Sequence, residues 1–197
     1  SGVGGSAVLT DVVPSKTLIA TAEAAEAITE AADVGVQFYS RTDTGRAVKP
    51  EIAVNLTAIN QRLLRLAAQQ SQDMHEQLEK AGVRILNGDA RLDGPNRVVV
   101  STGHGKKRVD FDECEADTII VAVGASPREL PSAQPDGERV LTWKQLYGLD
   151  DVPEHLIVVG SGVTGAEFAS AYRSLGARVT LVSSRDQVLP GEDVDAA

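Results

Sequence analysis

The sequence predicts an α/β chain of the three-layer type, and three stretches carry that expectation. The strongest is His155 to Arg185, HLIVVGSGVTGAEFASAYRSLGARVTLVSSR, which reads as strand, tight turn, helix, strand. A second is a pair of amphipathic helices in the first 80 residues. The third is a run of short strands with glycine turns between Val83 and Val123.

Taken in order, Gly2 to Pro14 reads as a glycine-rich loop running into a short apolar turn. Pro14 suits the first turn of a helix. That helix carries Leu18, Ile19, Ala22, Ala25 and Ile28 on one face and ends by Gly35. A polar connection containing Gly45 and Pro50 leads to a long helix, about Val54 to Lys80. Leu56, Ile59, Leu63, Leu66, Ala67, Met74 and Leu78 recur along it at helical spacing, a core-packing pattern, and Gly82 stops it. Val83 to Leu86 reads as a strand, with a turn at Asn87-Gly88. Arg97–Ser101 and Lys107–Phe111 read as strands of a meander joined through Gly103 and Gly105. Thr118 to Val123 is expected to be a buried strand, broken by Gly124, Pro127 and Pro131. Val140 and Leu141 read as extended, with Thr142 capping a short helix through Tyr147. The polar stretch Asp150 to Pro153 is the expected domain boundary, dividing residues 1–149 from 150–197.

The unit at His155 also has a chemistry. Leu156 to Val159 is an unbroken apolar run, expected to be a strand buried on both faces, and Val179 to Val182 is expected to be the next buried strand. Between them Gly160, Gly162 and Gly165 give G-x-G-x-x-G. The first glycine permits a tight turn, the second a close approach of backbone to a pyrophosphate, and the third close helix–strand packing. The helix places Phe168, Tyr172 and Leu175 on one face and stops at Gly176. This predicts a dinucleotide site. An acidic residue closing the second strand would bond the ribose hydroxyls of NAD, but Ser183, Ser184 and Arg185 stand there. A guanidinium and hydroxyls suit a 2′-phosphate, which favours NADPH while leaving NADH possible.

Composition sets limits. A net charge of −9 argues against nucleic acid and anionic membrane surfaces. No apolar run approaches a membrane span and no signal-peptide pattern opens the chain, so a cytoplasmic protein is expected. The one cysteine, Cys114, rules out a disulfide within these 197 residues and reads as incidental. His75, His104 and His155 have no ligand spacing, so no metal site is expected. Both ends read as cut, and a fragment of a larger protein is expected.

Five motifs now stand in order: G-G-S-A-x4-V-x-P-S-K from Gly4 to Lys16, the meander, T-I-I-V-A-V-G-A-x-P, G-S-G-V-T-G-A-E and V-L-P-G-E-D. Together they resemble the flavoprotein disulfide reductases, the family of lipoamide dehydrogenase and glutathione reductase. The resemblance covers essentially the whole chain and implies two Rossmann-like dinucleotide-binding domains: an FAD domain with a β-meander and an inserted NAD(P) domain. Residues 1–149 would be most of the FAD domain without its first βαβ unit, and 150–197 the first half of the NAD(P) domain. A C-terminal domain absent here would make a homodimer and supply the proton donor.

The same resemblance assigns residues. Lys16 and Glu167 match a pair that works beside the flavin. There a cation stabilises negative charge on the reduced ring and a carboxylate holds the cation. Gly4, Gly5 and Ser6 match the loop under the flavin's ribityl-pyrophosphate chain. Asp89 and Ala90 match backbone near the adenine, and Ala122, Val123 and Gly124 match a segment crossing the FAD, with Val123 in place of a threonine. Gly160, Gly162, Val163, Thr164, Gly165 and Glu167, with Ser183, Ser184 and Arg185, would hold the nicotinamide cofactor. Val163 stands where some members have an aromatic gate.

The main departure is chemical. The family's redox loop has two cysteines where this chain has Ala7 and Val12, and without a thiolate there is no disulfide exchange. The flavin half of the reaction remains, and its two electrons need another acceptor. A flat apolar quinone fits, and the sequence resembles most the disulfide-less, lipoamide-dehydrogenase-like NAD(P)H:quinone reductases of actinobacteria. Other acceptors (a second nicotinamide, oxygen, a protein carrier) and a non-catalytic flavin-binding relic are the alternatives.

Overall fold

The computed structural model describes residues 2–40, 45–102 and 109–196. The chain divides into two compact units, residues 1–72 with 127–197, and residues 73–126.

The first unit begins with helix rather than loop. Gly5–Leu9 forms α1, one turn ahead of α2, Val12–Thr29. The glycines at positions 4 and 5 hide this turn from a sequence reading, but their positive φ values of 87° and 54° let the chain enter it. Pro14 lies in the first turn of α2, where its missing N–H costs nothing, and its side chain is fully buried. After α2 a 3-10 turn, Ala31–Val34, ends at Gly35 in the left-handed region. On α2, Leu18 and Ala22 are buried as expected, but Ile28 is 43% exposed. The packing of α4 (Val163–Ser174) on α2 reaches Glu26, whose carboxylate accepts from Ser174 Oγ at 2.9 Å; Ile28 lies in the turn beyond.

The connection after α2 holds a two-residue antiparallel pair, β1 (Phe38–Tyr39) with β2 (Ala47–Val48). Helix α3, Leu56–Lys80, buries Leu56, Asn60, Leu63, Ala67 and Ser71, a stripe that passes beside exposed Leu66. Its two polar members are bonded: Asn60 Nδ2 donates to Leu149 O at 2.8 Å and Ser71 Oγ to Val3 O at 2.6 Å. The expected cap at Thr142 is present. Gln145 Oε1 accepts from Thr142 N–H at 2.7 Å, opening a 3-10 helix, Trp143–Gly148.

The closing part of this unit follows the expected strand–helix–strand order. His155–Val159 and Arg178–Val182 pair in parallel and α4 connects them; we call these strands β6 and β7, since three strands of the other unit precede them. Both strands alternate between exposed and half-buried, so the expectation of burial on both faces is corrected. Leu156, Val158, Val179 and Leu181 form the sheltered face, while Ile157 and Val159 are 59% and 68% exposed. Burial needs a layer on each face, and α4 is the one helix packed on these two strands among the described residues. Phe168, Tyr172 and Leu175 of the α4 segment join Leu18, Leu56 and Leu63 in the core.

Burial pushes the Tyr172 phenol up to about 12. A folded-state value above the ordinary 10.0 means its contribution to stability is complete below pH 10 and is lost between pH 10 and 12. The denaturation midpoint is expected to fall across that window, and less steeply in Tyr172→Phe.

The second unit is an antiparallel meander of β3 (Asp89–Leu92), β4 (Arg97–Thr102) and β5 (Val109–Glu115). Val99, Val100 and Ser101 are its buried centre. Gly88 precedes β3 where a Cβ would sit 2.7 Å from Ser101 O, so only glycine fits. The expected turn through Gly103 and Gly105, and the strand start at Lys107, lie outside the described residues. Two further expectations are corrected. Val83–Leu86 and Thr118–Val123 form no strand, and Ile120, Val121 and Val123 are 86%, 65% and 89% exposed. An apolar run becomes a strand only when another edge accepts its hydrogen bonds, and none of the described strands pairs with either run. Cys114, on β5, is half-buried and its sulfur accepts from the Arg84 guanidinium at 3.1 Å.

Candidate functional site

The glycine turn between β6 and α4 is built as its spacing implies. Gly160 has φ 119°, and its N–H donates to Val182 O at 2.9 Å, tying the turn to β7. A Cβ on Gly165 would lie 1.9 Å from Gly160 O and 3.0 Å from Gly160 C, so backbone blocks every side chain there. Gly162 differs: its φ is −72° and a Cβ would meet open space. Two of the glycines serve the fold, then, and the middle one leaves room outside it. Open space of this kind at a helix N-terminus is what a pyrophosphate would need. Val163, Thr164 and Gly165 continue from it along the wall of a cavity of about 680 Å³ that reaches Leu141, Trp143 and Phe168.

At the end of β7, Ser183 gives its proton to Arg185 O and accepts from Arg185 N–H, both at 2.9 Å. Ser161 is therefore the donor in its 2.7 Å contact with Ser183. Ser161 is 5% exposed, and its carbonyl accepts from Leu189 N–H at 2.7 Å. It fastens the turn to the segment after β7, a role that a variable position inside a motif gives no sequence signal for. Ser183 is engaged in its own turn, while Ser184 and Arg185 are exposed.

Lys16, from the second turn of α2, and Glu167, from α4, form an ion pair across 151 residues of sequence. The packing of α4 against α2 brings them together. The Lys16 side chain is 54% exposed and that of Glu167 25%, so the ammonium faces outward and the carboxylate anchors it. Gly4, Gly5 and Ser6 open α1 in the same unit, with Gly4 and Gly5 in the left-handed region that a side chain disfavours. Ala7 and Val12 are both exposed, Val12 by 50%. Asp89 and Ala90 belong to the other unit, where Asp89 O accepts from Ser101 Oγ at 3.1 Å. Ala122–Gly124 lies there too, outside regular structure, with Gly124 at φ 72°. Among the described residues no cluster of His, Cys, Asp and Glu could hold a metal, and no helix is long and apolar enough to cross a membrane.

Comparison with known proteins gives the family. The profile of the pyridine nucleotide-disulphide oxidoreductases matches residues 2–197. The chain belongs to this family. Among its curated relatives is the NAD(P)H dehydrogenase (quinone) of Mycobacterium tuberculosis, 48% identical over 203 aligned residues that cover 100% of this chain and 38% of the relative. The dihydrolipoyl dehydrogenase of Chlorobaculum parvum is 32% identical, covering 100% and 39%. The crystal structure of LpdA from Mycobacterium tuberculosis aligns with a TM-score of 0.80 at 47% identity, covering 100% of this chain and 40% of that one. This pyridine nucleotide-disulphide oxidoreductase chain therefore has the α/β fold expected of it, and spans about two fifths of the length of the relatives it matches.

Proposed function

We propose that the chain carries most of the FAD domain, residues 1–149, and the first half of the NAD(P) domain, residues 150–197, of an NAD(P)H:quinone oxidoreductase without a redox disulfide. The observation that carries the reading is the Lys16–Glu167 ion pair, held between two helices beside a segment with Ala7 and Val12 in place of thiols. Bound FAD would supply the ring that accepts a hydride from the nicotinamide and passes two electrons on. Lys16 would place positive charge where the reduced ring becomes negative, and Glu167 would keep the ammonium in position. Gly160, Gly162 and Gly165, with Val163 and Thr164, would take the nicotinamide cofactor, and Gly4, Gly5 and Ser6 the FAD chain. Asp89, Ala90 and Ala122–Gly124 complete the proposed FAD contacts. With no thiolate in the loop, Ala7 and Val12 leave an apolar surface suited to a quinone. The full-length protein is proposed to be a cytoplasmic homodimer.

The test is acceptor choice. Full-length protein loaded with FAD is expected to oxidise NADPH with a soluble quinone and to show no turnover with lipoamide or glutathione disulfide. Turnover with disulfides overturns the reading; bound FAD with no turnover on any acceptor identifies a relic. Cofactor choice has its own test. Arg185→Ala is expected to raise the KM for NADPH about tenfold while leaving that for NADH near its original value, because only NADPH has a 2′-phosphate for the guanidinium to neutralise.

A further inference from the structure

Ser161 stands between the first two glycines of the G-x-G-x-x-G turn, and two of its atoms reach the segment after β7. Its carbonyl accepts from Leu189 N–H at 2.7 Å, and its hydroxyl lies 2.7 Å from Ser183 Oγ. Ser161 is 5% exposed, so its end of each bond is sheltered from water. Leu189 is the only non-glycine residue with positive φ among the described residues, at 54°, a strain that persists where neighbouring bonds impose it. The chain of bonds continues to Arg185. The Ser183 hydroxyl gives its one proton to Arg185 O and accepts from Arg185 N–H, both at 2.9 Å. With its proton committed and its lone pairs taken by Arg185 and Ser161, Ser183 has nothing left to offer a phosphate. Ser184 and Arg185 are exposed, and among the described residues no partner holds the Arg185 guanidinium. Where that guanidinium reaches is set by its backbone, which is fixed through Ser183 by a buried hydroxyl of the glycine turn.

We propose that Ser161 is a positioning residue for cofactor choice, its buried hydroxyl locking Ser183 and so aiming Arg185 at the 2′-phosphate of NADPH. This rests on the reading of Arg185 as the partner of that phosphate. The turn that faces the pyrophosphate and the turn that faces the 2′-phosphate are then one hydrogen-bonded unit, in which Ser183 is a strut and Arg185 the ligand.

The test uses the full-length, FAD-loaded protein, titrated at equilibrium with adenosine 2′,5′-bisphosphate and with 5′-AMP, which differ only in the 2′-phosphate. Ser161→Ala is expected to weaken the bisphosphate about fivefold, the worth of one hydrogen bond, and to leave 5′-AMP unchanged. Combined with Arg185→Ala it should lose no more than Arg185→Ala alone, because the hydroxyl acts through the guanidinium. Ser183→Ala removes the other end of the same bond at an exposed position, so it tests the link even where the buried substitution fails to fold. It is expected to show at least the same selective loss. Wild-type bisphosphate affinity in Ser161→Ala or Ser183→Ala, beside a loss in Arg185→Ala, overturns this proposal and leaves the Arg185 reading intact. Equal weakening of both ligands overturns it too, since that is the mark of a residue that only holds the turn together. Unchanged bisphosphate affinity in Arg185→Ala defeats the 2′-phosphate reading itself, and the proposal with it.

Discussion

Replacing Lys16 with Met in the full-length, FAD-loaded protein is expected to slow flavin reduction by NADPH about 100-fold, the cost typical of losing one preorganised group aimed at developing charge. Methionine keeps the length and apolar stem of the side chain and removes only the charge, so packing in the second turn of α2 is preserved. Lys16 is half exposed and contributes little to stability by its charge, since an ion pair this open to solvent is screened. The expected pattern is therefore a large kinetic loss with an unchanged denaturation midpoint. Glu167→Gln should lose less, about tenfold, because the ammonium survives but is held by a neutral amide. Stopped-flow reduction under anaerobic conditions measures both. Equal rates in wild type and Lys16→Met would sink the catalytic role and leave the pair a structural clasp between α2 and α4.

Gly165→Ala is expected to destabilise the protein by about 3 kcal/mol or more, at the top of what overpacking one methyl usually costs. The methyl would stand 1.9 Å from Gly160 O, and its neighbour is backbone rather than a side chain that could swing away. Relief requires α4 to lift from β6, which would draw Phe168 and Tyr172 out of the core they share with Leu18 and Leu63. Gly162→Ala gives the contrast. Nothing lies within 4 Å of its Cβ and its φ of −72° suits any residue, so this variant should fold with its midpoint unchanged. Its loss should be in nucleotide affinity, because the added methyl fills the space left for a pyrophosphate. Denaturant titration and NADPH binding, run on both variants, separate the two roles. A stable Gly165→Ala protein would show that the turn tolerates rearrangement.

Much of this was legible in the sequence because it depends on local chemistry. G-x-G-x-x-G between two apolar runs specifies strand, turn and helix through φ freedom and helical period, and Gly176 and Gly82 end their helices with φ values of 103° and 76°. A chain with a single cysteine cannot form a disulfide within its own 197 residues. What the tertiary structure decided was every property that needs a second element. Leu156 to Val159 is uniformly apolar, and such a run reads the same with one face covered or two; the packing of α4 on one side set the alternation. Thr118–Val123 is apolar from Ile119 onward and forms no strand, because the strand period is fulfilled only against a partner edge. Lys16 and Glu167 illustrate the limit most directly. Each sits in its own motif, but their contact across 151 residues exists only because α2 and α4 pack face to face. Ser161 gave no sequence signal at all, since a buried hydroxyl is defined by its surroundings. The sequence determined the local turns and the available chemistry; the packing determined which groups meet.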